Sequence, residues 1–287
     1  MRLRRTERTC FTSWESTGFS KDSFGAPTRI WPARVSRRAR ISKANAEGTL
    51  RKGGGLTNDE KTRQWLSRFE KGVEIGAFLT PLPNIRPTYV DSFESFGGHP
   101  CKYDILCEAT ELPFEDGELE YVASSHVFEH IANPIQALVE WTRVTSDNGI
   151  LYLVIPDRRF TWERNRAPVD AAHLLEDYRK GITQCDGTHI DEFIDGLVWE
   201  EFSPSDPSEE AREAYRQSLR HAVNHDLIIN IHYHAFEPEG FDAIVDAANT
   251  VLPAGMALER VDGAERFPSN EPNGFLAVLR VGRGRLD

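Results

Sequence analysis

Two carboxylates and a scatter of histidines carry the chemistry this sequence offers. Glu74 stands two residues before Gly76 in Gly72-Val73-Glu74-Ile75-Gly76, and Asp91 closes Thr88-Tyr89-Val90-Asp91. An acid at the end of a short apolar run, followed by a residue free to turn sharply, is placed to meet a ligand. A carboxylate there suits a cationic or hydroxyl-rich ligand better than a pyrophosphate. The plain alternative is a buried strand that ends in a glycine turn. The nine histidines come later, at 99, 126, 130, 173, 189, 221, 225, 232 and 234. Imidazole suits proton transfer because its ordinary pKa lies near working pH, and sets of imidazoles suit metals.

Positioning these groups takes an alternation of short strands and helices. Thr57-Asn58-Asp59-Glu60 has the hydroxyl and the Glu three residues on that make a capping box, and predicts a helix running to about Lys71. Val73–Ile75, Thr88–Asp91, Tyr103–Cys107 and Glu120–Ser125 read as four strands. Asn133 before Pro134 starts a helix with Ile135, Leu138, Trp141 and Val144 on one stripe, and Asn148-Gly149 is expected to stop it. The apolar run from Ile150 to Ile155 fits a strand covered on both faces. Phe241, Ile244, Val245, Ala248 and Val251 mark a late helix, and Ala257–Val261 and Phe275–Val281 are closing strands. This order implies an α/β fold, a Rossmann-like doubly wound and mostly parallel sheet. The last two strands follow each other closely, so one of them should run antiparallel. Ligands of such sheets bind at the carboxyl ends of the strands, where Glu74 and Asp91 would lie.

Composition narrows the classes of partner. Hydrophobic residues are 39% and charged residues 28% of the 287, as in a globular enzyme. No apolar run approaches the ~20 residues that span a bilayer, so we expect no membrane partner. Cys10, Cys101, Cys107 and Cys185 show neither C-x-x-C spacing nor a disulfide rhythm, which fits a reducing, cytoplasmic setting and argues against a zinc knuckle. The net charge of −11 is uneven. Residues 1–52 hold 13 Lys and Arg against 4 Asp and Glu, a balance of +9, and the other 21 basic and 41 acidic residues leave −20. An acidic body repels phosphate backbones, so nucleic acid is a poor partner. Residues 1–55 lack periodicity and end in Gly53-Gly54-Gly55, and are read as a basic, disordered extension. Organelle targeting by its Arg and Ser and a basic tail for anionic partners are the alternative readings.

In order and spacing, the chain resembles the class I S-adenosylmethionine-dependent methyltransferases, in particular the methyltransferase type 11 group. Four stretches carry the likeness: Val73-Glu74-Ile75-Gly76, Tyr89-Val90-Asp91, Glu108-Ala109 through Leu112-Pro113-Phe114, and His126-Val127-Phe128-Glu129-His130. The resemblance implies S-adenosylmethionine as cofactor. It places Glu74 near the methionine amino end, Gly76 at the close backbone approach and Asp91 on the ribose hydroxyls. Glu108 stands where the family usually has an Asp near the adenine amino group, with the Ala109 N–H facing the ring. Ser125 and His126 would close the pocket under the sulfonium. Two departures stand out. Phe78 and Thr80 replace the second and third glycines of the family's G-x-G-x-G turn. Only 14 residues separate Gly76 from Asp91, with Pro81, Pro83 and Pro87 among them, which leaves no room for a crossover helix. A dinucleotide site would need that helix and a G-x-G-x-x-G, and the chain has neither.

Between Asp157 and Glu237 lie roughly 80 residues where the family needs a short link and a helix. We read about 157–236 as an inserted helical lid within one domain, 56–287. Arg158, Arg159 and His232 are candidates for the acceptor, and His126, His130 and His234 for a catalytic base. No metal ligand set is assigned. In the rival reading His232 and His234, from one face of a strand, join His189 or Asp191 around a metal; in the plain one, most histidines cap helices. The expected activity is methyl transfer to a small-molecule or sugar-type acceptor, at oxygen or nitrogen. The alternatives are a non-catalytic binding module on the same fold and a metal-dependent enzyme using the lid histidines. The sequence specifies no oligomeric state.

Overall fold

Helix α1 (Asn58–Trp65) begins at the capping box: the Thr57 side chain accepts from the Glu60 amide while the Glu60 carboxylate accepts from the Thr57 amide. It stops six residues before the expected Lys71. The amides of Glu70 and Lys71 are instead taken by the Glu120 carboxylate at 2.7 and 2.8 Å, which draws the chain off the helix and into β1 (Gly72–Ile75). The computed structural model describes residues 56–284. The proposed basic extension, 1–55, and Cys10 lie outside the described residues, as do 285–287.

The connection from β1 to β2 (Thr88–Asp91) carries no helix, as the three prolines require. A two-stranded hairpin, β3 (Ser95–Phe96) and β4 (His99–Pro100), follows that sequence reading did not anticipate. The next strand, β5, is only Ile105–Leu106, shorter than expected. Asp104 is held out of it because its carboxylate accepts from the Tyr89 amide at 2.9 Å. Strand β6 (Leu119–Ser125) then leads to α2 (Pro134–Val144), with Asn133 capping the Gln136 amide. Helix α2 ends at Val144, four residues before Asn148, because Thr145 already pairs with Leu119 in the sheet. Asn148, at φ 60°, and Gly149 turn a bulge within β7 (Thr145–Pro156). A Cβ on Gly149 would stand 2.8 Å from the Glu120 carbonyl oxygen.

Helix α7 (Phe241–Asn249), β8 (Met256–Phe267) and β9 (Gly274–Arg283) close the chain. The seven-stranded order is β5-β2-β1-β6-β7-β9-β8, with the first five parallel and β9 antiparallel to both neighbours. Strand alternation sorts the core into two layers. Val73, Ile75, Val90, Val122, Leu151 and Leu153 pack on α2 and α7; Tyr121, Ala123, Ile150, Tyr152 and Val154 pack with Leu66 and Leu82.

The inserted segment contains α3 (Ala171–Lys180), α4 (Ile190–Gly196), α5 (Trp199–Phe202) and α6 (Glu209–Val223). It does not pack as one body. Leu174 of α3 belongs to the main core, whereas Phe193, Trp199, Phe202, Leu219 and Tyr233 build a separate apolar cluster.

Candidate active site

Parallel pairing sets Ile75 opposite both Val90 and Ser124, so the carboxyl ends of β1, β2 and β6 come level. Glu74, Asp91 and Ser125 share one face by strand alternation. Gly76 takes φ 66° and donates its amide to the Val90 carbonyl at 2.8 Å. A Cβ at Gly76 would stand 2.5 Å from the Val127 side chain, so glycine is needed here for close packing as well as for its conformation.

Glu74 is 1% exposed. One oxygen accepts from the Leu82 amide at 2.8 Å, and the other has no hydrogen-bond partner among the described residues. Burial pushes this carboxyl up to about 7, against the opposing pull of that amide and of Lys102. Asp91 is also buried, and burial raises its pKa despite bonds from the Phe93 amide (3.0 Å) and Cys101. A buried acid with an unclaimed oxygen fits a donor brought by a ligand. Past β5, Glu108 is half-buried and Ala109 is buried, its carbonyl accepting from the Trp141 indole at 2.8 Å. Phe78, one of the residues standing in for glycine, takes φ 44° and packs edge-on against Phe96 of the hairpin, with ring centroids 5.8 Å apart.

His126, at φ 55°, bends the chain out of β6 into a single turn, Phe128–His130. That turn buries Glu129 to 1% exposure, with no hydrogen bond from the described residues to either carboxylate oxygen. The nearest cationic candidates are His126 Nδ1 at 3.8 Å and His130 Nε2 at 3.9 Å, beyond hydrogen-bond length. Burial raises Glu129 to about 7, offset in part by His232. Burial drives the imidazole of His130 well below its ordinary value, with His232 adding to it, and the same causes lower His126. Glu129 is therefore better matched than either histidine to exchange a proton near neutrality. The candidate bases named from the sequence were His126, His130 and His234, without Glu129.

His232 and His234, expected on one face, diverge. Their stretch is irregular rather than a strand, so alternation does not govern it. His232 packs edge-on to His130 (4.5 Å between centroids) and bonds through Nδ1 to Glu163, which pairs in turn with Arg166. His234 points to Asp177 instead, with Nε2 3.0 Å from Oδ2, and burial lowers it to about 4 against that bond. Asp191 joins neither group, since Arg216 and Arg220 hold it on the surface. Arg158 and Arg159, past the end of β7, are engaged by the protein's own acids: Arg158 by Glu237 (2.5 Å), Arg159 by Asp157 and Glu239 (2.7 Å each). Sequence reasoning missed Glu163 and Arg166, which lie in an aperiodic stretch with no local signal. Asp177 did have one, four residues after His173 on α3.

Residues 87–153 match the family model described as "Methyltransferase domain", of the type 11 group. The likeness to class I S-adenosylmethionine-dependent methyltransferases read from the sequence thus holds there, on the Rossmann-like sheet described above. No curated protein sequence matches the chain. Among solved structures, the chain is similar to one in the complex between the Haloferax volcanii Trm112 methyltransferase activator and the putative methyltransferase, at 14% identity, 79% of this chain, 90% of that one and TM-score 0.37. A second is a possible histamine N-methyltransferase from Thermotoga maritima, at 14% identity, 74% and 82% coverage and TM-score 0.36. A third is Haemonchus contortus phosphoethanolamine N-methyltransferase 1 with phosphoethanolamine and S-adenosylhomocysteine, at 10% identity, 82% and 41% coverage and TM-score 0.41.

Proposed function

We propose that the protein is an S-adenosylmethionine-dependent methyltransferase that acts on a small-molecule or sugar-type acceptor, at oxygen or nitrogen. The observation that carries this reading is the pair of buried acids, Glu74 and Asp91, at level strand tips within and beside the matched domain. When bound, the cofactor supplies an electrophilic methyl carbon on a sulfonium. The unclaimed oxygen of Glu74 accepts from its ammonium group, and a cation there favours the ionised carboxylate. Asp91 accepts from the ribose hydroxyls through charge-assisted bonds. Glu108 and the Ala109 amide lie where the adenine edge would be read, and Ser125 and His126 line the open side of the β6 tip.

Methyl transfer needs alignment first and proton removal second. Glu129 takes the acceptor proton: it is buried, its oxygens are unclaimed, and its pKa is lifted to the working range. His130 packs beside it as a neutral ring, and His232, bonded to Glu163, orients His130. Arg158 and Arg159 hold the end of β7 in place through their ion pairs. The acidic body favours a neutral or cationic acceptor over a polyanion.

Calorimetry with S-adenosylmethionine and S-adenosylhomocysteine tests the reading. Both should bind the wild-type chain, and Asp91→Ala should weaken binding by about 1.5–3 kcal/mol, the scale of a hydrogen bond to a charged group. Binding of neither ligand would leave the non-catalytic module as the better account. Equal binding by Asp91→Ala would show that the cofactor site is misplaced.

A further inference from the structure

We propose that His173, Asp177, His189 and His234 form a closed binding site for one divalent transition metal, zinc(II) first, that ties the insertion to the main core. The inference stands on geometry independent of the methyltransferase reading.

Three imidazole Nε2 atoms and one carboxylate oxygen converge on a single point. Asp177 Oδ2 lies 3.0 Å from His234 Nε2, 3.2 Å from His173 Nε2 and 3.3 Å from His189 Nε2. His173 and His189 face each other Nε2 to Nε2 at 3.1 Å, and all four atoms lie within 4.8 Å of one another. In a tetrahedral zinc site with bonds near 2.0–2.1 Å, neighbouring ligand atoms are about 3.3–3.5 Å apart. The spacing found is close to that.

Hydrogen bonding leaves one contact of this arrangement unfavourable. Two N–H groups cannot point at each other across 3.1 Å, so at least one of His173 and His189 presents a bare lone pair at Nε2. That nitrogen then faces the Asp177 oxygen, lone pair against lone pair, at 3.2 or 3.3 Å. A cation at the centre removes the conflict, because every inward atom then serves as a donor to it.

The surroundings fit a built site. His173 and Asp177 project one turn apart from α3, His189 immediately precedes α4, and His234 comes from the stretch leading to α7. Thr188 Oγ1 stands 3.0 Å from His189 Nδ1, the outer partner that fixes a ligating ring. Asp177, His189 and His234 are buried, while His173 keeps 46% of its side chain open, leaving a route for the ion. Three nitrogens and one oxygen without a thiolate suit zinc(II) and similar borderline ions better than calcium or magnesium. Four protein ligands leave no open position, which marks a structural site.

The test uses the untagged full chain, purified without chelator. Elemental analysis should find about one zinc per chain, and adding zinc(II) to chelator-treated protein should raise its melting temperature. His173→Ala and His189→Ala should each weaken zinc binding by about 100-fold or more, at least what losing an outer partner costs. In chelator, His173→Ala should melt where the chelated wild type melts, since its exposed ring adds little packing. If a variant fails to fold, cobalt(II) titration of the wild type should still give the intense visible bands of tetrahedral coordination. A wild type that takes up neither zinc nor cobalt overturns the proposal, as do variants that bind zinc like wild type. S-Adenosylhomocysteine binding is read separately, so failure here leaves the cofactor reading untouched.

Discussion

Buried acids fare in opposite ways at the strand tips and in the insertion. At the tips, one oxygen of Glu74 and both of Glu129 have no donor among the described residues, and burial lifts both acids to about 7. In the insertion burial acts the same way on Glu163 and Asp177, but it is outweighed. Glu163 has His232 and Arg166, Asp177 has the His234 bond and two further imidazoles, and both end below the ordinary carboxylate range. Equal burial therefore separates acids kept free for a ligand or proton from acids spent on holding the fold.

The sharpest way to break this contrast is to strip a paired acid. Arg166→Ala leaves Glu163, 1% exposed, without its guanidinium, and should cost about 3–5 kcal/mol in urea unfolding. A smaller loss would mean that Glu163 is not held by that charge. The pH dependence of stability should split by region. A group raised in the folded state contributes stability that is complete below its unfolded pKa and is lost as pH rises through the folded value. Glu129, raised from 4.5 to about 7, should thus withdraw on the order of 3 kcal/mol as pH climbs from about 5 to 8. Glu129→Gln should flatten that limb. Glu163 and Asp177 act in the opposite sense, their contribution present above the unfolded carboxylate pKa and lost as acid protonates them. The same Glu129→Gln change should lower turnover about 100-fold or more, while leaving S-adenosylhomocysteine affinity unchanged. Turnover that survives would return the role of base to His126 or His130. Smallest of all, Arg164→Ala breaks an exposed pair with Glu201 and should leave urea midpoint and turnover where they were.

The two regions were unequally legible for the same reason. Around the tips, meaning is local. Thr88–Asp91, the Asn133-Pro134 start and the capping box are written in neighbouring residues, and the structure places them as expected. Helix ends were less readable, because α1 and α2 stop where Glu120 and Leu119, far along the chain, claim the backbone. In the insertion nearly everything that matters is non-local. Glu163 finds His232 across 69 positions, and Asp177 finds His234 across 57. Reading His232 and His234 as a strand pair failed because backbone bonds from Tyr233 to Glu129, and from Arg158 and Val169 to Phe236 and Ala235, fix that stretch one residue at a time.

The separate apolar cluster of α4, α5 and α6 has a consequence for how such a protein diversifies. Its aromatic filling touches neither Glu74 nor Asp91, so a lineage can rework Phe193, Trp199 and Phe202 as an exchangeable cassette. A foreign version of these three side chains would re-tailor one end of the molecule and leave Glu74 and Asp91 as inherited, provided His189 and His232 stay in place.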